Sequence, residues 1–277
     1  MIKVSPKKTR VNILGVGVDS LTIVEANNSI AQLIARPAQK SYYIVKPYVE
    51  FFISSMKDPK IQSILNDADL ILADGISVQW AASYLYGNPH QAFLKTWRSL
   101  LFWLQKPHWK NQILPEKMAG ANQTYPLLKL AENNGWRVGI IGGNNQPESI
   151  KLAIQKIFPK LKYIEVWNGY FLPSDEKNIT TQIAHAKLDI LFVAMGFTRQ
   201  ELFIDRNLNN NLATVMIGEG GTFDYNEFGG SIKRAPVGVQ KIGLEWLWRL
   251  FRQPKRIKRQ LSIPKFIFSI RRQAKKR

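Results

Sequence analysis

The sequence predicts an α/β fold: a doubly wound, mostly parallel sheet that carries a basic, helical C-terminal appendage. From residue 11 to about 225, short β-rich apolar runs alternate with helix-like segments, the pattern of successive βαβ units. Most of these runs lack polar alternation, as strands buried on both faces do. Near Gly238 the strand signal stops and basic, helix-compatible sequence takes over.

Taken in order, the candidate strands are Val11–Val16, Tyr42–Val45, Leu70–Ala73, Arg137–Ile141, Tyr163–Val166, Asp189–Met195 and Ala213–Ile217. Together they read as a Rossmann-like sheet. Residues 1–237 are expected to form this α/β domain. Within it, Ile76–Tyr86 is expected to be a helix. Residues 93–110, FLKTWRSLLFWLQKPHWK, place Phe93, Trp97, Leu100, Leu101 and Leu104 on one face at helical spacing. That face either packs on the sheet or lies in a membrane interface, with Trp97, Trp103 and Trp109 at headgroup level. Residues 238–277 read as two or three short helices interrupted by Pro254 and Pro264, with a frayed end at Gln273–Arg277.

Composition narrows the chemistry. The 277 residues include no cysteine, which excludes disulfides, a thiol nucleophile and thiolate metal sites. His90, His108 and His185 are scattered without metal-ligand spacing, so no metal site is expected. The basic, then apolar start lacks a cleavage pattern for a signal peptide, and no run reaches the roughly 18 apolar residues of a spanning helix. A cytoplasmic protein, with or without membrane association, is the expectation. Of the net charge of +19, the stretch from Ser231 to Arg277 holds +14, with fifteen Lys and Arg against Glu245 alone. An anionic partner for this stretch follows from electrostatics.

Three strand ends carry small or polar punctuation: Asp74-Gly75, Gly142-Gly143-Asn144 and Gly196 to Gln200. In open α/β sheets ligands bind beyond the carboxyl ends of strands, where helix N-termini also favour anions. Asp74 follows its strand directly, so its carboxylate is expected at the ligand edge; the alternative is that it caps the helix that follows. Gly75 permits close approach of chain or substrate. Gly142, Gly143, Gly218, Gly220 and Gly221 read either as close-approach loops or as ordinary turns. Arg234 either meets substrate or pairs with Asp224 or Glu227. Gly15-Val16-Gly17-Val18-Asp19-Ser20 lacks the acidic residue that a dinucleotide fingerprint needs about 20 residues later, and reads as a tight turn. Asp67-Ala68-Asp69 precedes its strand, the wrong edge for a ligand.

The segments DADLILADGISVQWAA, PEKMAG, GWRVGIIGGN, AMGFTRQELFI, GEGGTFDYNEFGGSIKRAP and GLEWLWRLFRQPKRIKR resemble, in order and spacing, the successive motifs of the WecG/TagA/CpsF glycosyltransferases. The resemblance covers roughly residues 10–260. It implies an inverting, metal-independent transfer of a sugar from a UDP-sugar donor to a polyprenyl-diphosphate-linked sugar, at the cytoplasmic face of the membrane and without a cofactor. It further implies Asp74 as general base and Gln200 as a substrate contact. Arg249, Arg256 and Arg259 become appendage residues that hold diphosphate. Two motifs depart from the family: its Thr-Pro-Asn is Lys46-Pro47-Tyr48, and its Arg-x-x-Gly-x-Asp is Lys117-Met118-Ala119-Gly120-Ala121-Asn122. Gly120 keeps its place at the substrate site. Larger and differently charged groups beside Asp74 imply an unusual substrate pair or a lost activity.

The mixture of Leu244, Trp246, Leu247, Trp248, Leu250 and Phe251 with Lys and Arg suits an anionic membrane surface, since basic residues near such a surface contribute about 1 kcal/mol each and Trp favours the interface. A non-catalytic nucleic-acid- or membrane-binding protein on the same fold is the alternative. No pattern for sequence-specific nucleic-acid binding is visible.

Overall fold

The computed structural model describes residues 9–87, 113–143, 147–241, 245–254, 257 and 261–277. The segment 93–110, Asn144, Arg256 and Arg259 lie outside the described residues. The strands are β1 Arg10–Ile13, β2 Val16–Asp19, β3 Tyr42–Val45, β4 Leu70–Ile71, β5 Arg137–Gly142, β6 Tyr163–Trp167, β7 Leu188–Ala194 and β8 Ala213–Gly218. The α-helices are α1 Ile23–Ile34, α2 Val49–Ser55, α3 Pro59–Asn66, α4 Ile76–Tyr86, α5 Gly120–Asn134, α6 Pro147–Ile157, α7 Glu176–His185, α8 Arg199–Asn207, α9 Val237–Lys241, α10 Glu245–Arg252 and α11 Ser262–Lys275.

Six strands form one sheet in the order β4-β3-β8-β7-β5-β6, all parallel, as the buried apolar runs require. Alternate residues of each strand feed two separate cores. Ile44, Ile140, Ile190, Phe192, Val215 and Ile217 face α1, α5 and α6 through Ile30, Leu128 and Ile154. On the other face Tyr43, Val45, Leu191, Val193 and Met216 meet Phe52, Leu65, Phe203, Phe266 and Ile270 from α2, α3, α8 and α11.

The first predicted strand is corrected. Residues 10–19 form an antiparallel hairpin outside the parallel sheet, because Leu14 (φ +50°) and Gly15 (φ +87°) reverse the chain inside the apolar run. Asp19 docks the hairpin: its carboxylate accepts from Ile71 N–H at 2.8 Å and from Arg10 Nε at 3.0 Å.

The expected frayed end is also corrected. α11 is a 14-residue helix that holds Phe266 and Ile270 in the core. Gln273 accepts from Leu14 N–H and donates to Asn12 O, while Arg277 donates to Leu85 O and stacks over Tyr86. Pro264 falls in the first turn of α11, where its missing N–H has no intrahelical partner to lose. Among the described residues no helix is long and apolar enough to cross a membrane.

Candidate active site

Beyond the carboxyl ends of β4, β3, β8 and β7 lies a cavity of about 1040 Å³. Asp74, Lys46 and Glu219 follow β4, β3 and β8 in the order of the sheet, and all three line it. Backbone hydrogen bonds extend the pairing past the strands: Leu72 N–H donates to Val45 O and Asp74 N–H to Pro47 O, at 2.8 and 3.1 Å. Lys117 is brought in from the other side by Met118 N–H, which donates to Ala73 O at 2.7 Å.

Asp74 does not cap α4. The N-cap is Gly75 with φ +89°, a conformation that suits glycine, and no side chain caps the helix. A Cβ on Gly75 would meet nothing within 4 Å, so the space before the carboxylate is open. Among the described residues the Asp74 carboxylate makes no hydrogen bond. It lines the cavity and is only partly exposed there. This burial pushes its pKa up from 3.8 to about 6; Lys46 opposes the rise, Glu219 adds to it, Lys117 opposes it and Glu245 adds to it.

Lys46 is only 5% exposed, and its ammonium forms an ion pair with Glu219 and donates to Gln123 Oε1 at 3.2 Å. The other oxygen of Glu219 accepts from Thr124 and Thr222 hydroxyls, both at 2.6 Å. The carboxylate sits against the first turn of α5, where the helix dipole favours a negative charge. Gly120 is the residue that permits this packing: a Cβ there would lie 1.9 Å from Thr222 Oγ1.

Gln200 lines the cavity but is almost wholly committed to protein. Its Oε1 accepts from Gly196 N–H at 3.2 Å and Gly220 N–H at 3.1 Å, tying the loops after β7 and β8 together. Its Nε2 donates to Glu201 Oε1 at 2.8 Å. Glu201 is fully buried, its second oxygen is without a partner among the described residues, and burial raises its pKa to about 8.

The appendage contributes one wall. Glu245, Arg249 and Arg252 recur at i, i+4 and i+7 of α10 and all line the cavity. Arg249 donates to Gly221 O at 2.9 Å and to Asp224 at 2.8 Å, and lies over the Tyr225 ring; its Nε has no partner among the described residues. Arg234 pairs with Glu227 and also with Glu245, at 3.1 and 3.0 Å, and donates to Asn122 Oδ1. Asp224 instead serves Arg249. Ser262, Ile263 and Phe266 of α11 close the cavity above the Phe51 and Phe197 rings, whose centroids are 4.0 Å apart.

Of the predicted residues, Asp74, Gly75, Gly120, Gln200, Arg234 and Arg249 share this cavity. Gly142 and Gly143 do not line it. A Cβ on Gly142 would lie 2.3 Å from Ala194 O, and one on Gly143 2.4 Å from Ile150 Cδ1, so both glycines serve internal packing. Glu219, Glu245 and Trp80 line the cavity without having been singled out from sequence.

The model of the glycosyl transferase WecG/TagA/CpsF family matches residues 11–97 and 98–277. An N-acetylglucosaminyldiphosphoundecaprenol N-acetyl-beta-D-mannosaminyltransferase of Bacillus spizizenii strain W23 is 30% identical over 83% of this chain and 79% of its own length. A Staphylococcus aureus strain MW2 protein of the same name is 29% identical over 94% of this chain and 92% of its own. With the match running through both the sheet and the cavity-lining α10, the chain belongs to the WecG/TagA/CpsF family of glycosyl transferases.

Proposed function

We propose that this protein moves a hexose or N-acetylhexosamine from a UDP-sugar to a polyprenyl-diphosphate-linked sugar during cell-surface polysaccharide synthesis. The observation that carries the reading is Asp74: a carboxylate with no hydrogen bond among the described residues, held at a strand end in a large cavity, with a pKa near 6. A base poised near the working pH combines the ionised form with useful proton affinity. The acceptor hydroxyl oxygen forms its bond to the anomeric carbon as the bond from that carbon to the UDP oxygen breaks, and the hydroxyl proton passes to Asp74. A single displacement of this kind inverts the anomeric centre.

Negative charge develops on the leaving diphosphate. Arg249 and Arg252 stand on the cavity wall to receive it, joined by Arg256 and Arg259 in the role that the family resemblance implies. Cationic side chains in this role make a divalent cation unnecessary. The two curated relatives are named for a diphosphoundecaprenol-linked N-acetylglucosamine acceptor and an N-acetylmannosaminyl donor group, which makes this pair the first to try.

The inner face of the membrane is the proposed location. α10 turns Arg249 inward and leaves Phe251 77% exposed, while Leu261 and Phe268 of the following segment are 64% and 68% exposed. Exposed apolar groups among Lys265, Arg271, Arg272 and Lys275 suit an anionic lipid surface. On this reading residues 238–277 act as a membrane-facing appendage to the domain 1–237.

UDP release from a panel of UDP-sugars, with a short-chain polyprenyl-diphosphate-linked sugar and EDTA present, tests the proposal. Acceptor-dependent release that is lost in Asp74→Asn is expected. Full turnover by Asp74→Asn would overturn the assignment of the base, and turnover abolished by EDTA would overturn the metal-free mechanism.

A further inference from the structure

The row of charges across three strand ends has a further role. Neighbouring strands β4, β3 and β8 end in a carboxylate, an ammonium and a carboxylate, from Asp74, Lys46 and Glu219. The order follows from the register. Ile44 pairs with Ile217, which brings Lys46 level with Glu219, while Val45 pairs with Ile71, which places Asp74 on the neighbouring strand two residues further toward the cavity, with its side chain on the same face as Lys46. Lys46 is immobilised: Glu219 and Gln123 take two of its three N–H donors, and Gln123 is itself fixed by Asn27 at 2.8 Å. Glu219 is in turn saturated by Thr124 and Thr222.

Stability alone gives no reason for such an arrangement, because replacing a buried ion pair by apolar groups is commonly neutral or stabilising. Placing it one strand from the proposed base does give one.

We infer that Lys46, clamped by Glu219, is a positioning residue for the proposed base, a fixed counter-charge that governs the ionisation of Asp74. The inference rests on the reading of Asp74 given above. The clamp matters because a mobile lysine would swing onto Asp74 and form a direct pair, quenching the base. Held by Glu219 and Gln123, it acts on Asp74 through space and leaves the carboxylate open to an acceptor hydroxyl. The other charges facing Asp74 are Lys117, from the segment before α5, and Glu245 of α10, the latter already engaged by Arg234.

The experiment titrates Asp74 directly in the full-length protein, by NMR of 13Cγ-labelled aspartate, its resonance assigned by its loss in Asp74→Asn. Lys46→Met is expected to raise the titration midpoint and Glu219→Gln to lower it, each by about one pH unit. Lys46→Arg keeps the charge and leaves the midpoint near that of the wild type. A purely structural role predicts no such opposition of sign, and midpoints depend on the folded molecules alone, so partial unfolding of a variant leaves the readout intact. If Lys46→Met fails to fold, Glu219→Gln and Lys46→Arg still decide. Unmoved midpoints, or shifts of the same sign, overturn the inference. Failure of the base assignment is separate: it appears as turnover surviving in Asp74→Asn, whatever the titration gives.

Discussion

Replacing Asp74 by Asn is expected to stabilise the protein while abolishing its activity. In the folded state the carboxyl titrates near 6 rather than at 3.8, about two units higher, and each unit is worth about 1.4 kcal/mol. Because the folded pKa is raised, the folded state binds more protons than the unfolded chain between the two values. Stability is therefore lost as pH climbs from about 4 to 6, and the full penalty of about 3 kcal/mol applies above 6. Asparagine never carries that charge. Urea unfolding at pH 7.5 is expected to find Asp74→Asn more stable by about 2–3 kcal/mol, with the two proteins converging as pH approaches 4. In the same pH series, wild-type kcat/KM falls about tenfold per unit below 6, and the variant loses at least about a hundredfold at every pH. A variant less stable than wild type at pH 7.5, or a stability difference that ignores pH, would refute the burial argument.

Glu201→Leu, which removes the oxygen that orients Gln200, is expected to lower kcat/KM about tenfold through the loosened loops. Glu201→Gln keeps an oxygen for Gln200 and should retain most activity; paired kinetics of the two variants check this. Because burial holds the Glu201 carboxyl up near 8, Glu201→Gln is also expected to raise Tm more at pH 8 than at pH 4.5, read by thermal melts. Arg249→Lys loses the fork that reaches both Gly221 O and Asp224, and should raise KM for the UDP-sugar about tenfold with a small change in Tm, measured by initial rates. Phe266→Ala opens a void between α11 and α2 and is expected to cost about 3–5 kcal/mol in urea unfolding. Leu261→Asp with Phe268→Asp should weaken co-sedimentation with anionic vesicles at least severalfold and leave neutral vesicles little affected.

The strand ends were legible because parallel strands buried on both faces announce themselves as short apolar runs, and Asp74 stands directly after one of them. The hairpin was not. Its reversal at Leu14 uses a non-glycine residue at positive φ inside an apolar stretch, so Gly15 reads as a turn after one strand rather than as the middle of a hairpin. The Lys46–Glu219 pair spans 173 residues, and only the spatial order of the strands brings the two together. The sequence singles out three strand ends without ranking them. In the actual order β5 lies beyond β7, so Gly142 and Gly143 pack against Ala194 and Ile150 while the cavity forms over the opposite half of the sheet. Gln200 was recognised by motif, but its bonds to two loops depend on positions reached only after folding.

The hydrogen bonds that Gln273 donates to Asn12 O and accepts from Leu14 N–H close a contour of about 260 residues, and they belong to the same helix whose first turn roofs the cavity. On the ribosome, at roughly 5–20 residues per second, the hairpin waits some 13 to 50 s for that partner. Every earlier product of translation lacks the roof. A nascent chain can thus bury most of its sheet well before α11 reaches the cavity, so the site is completed only after the sheet that carries it.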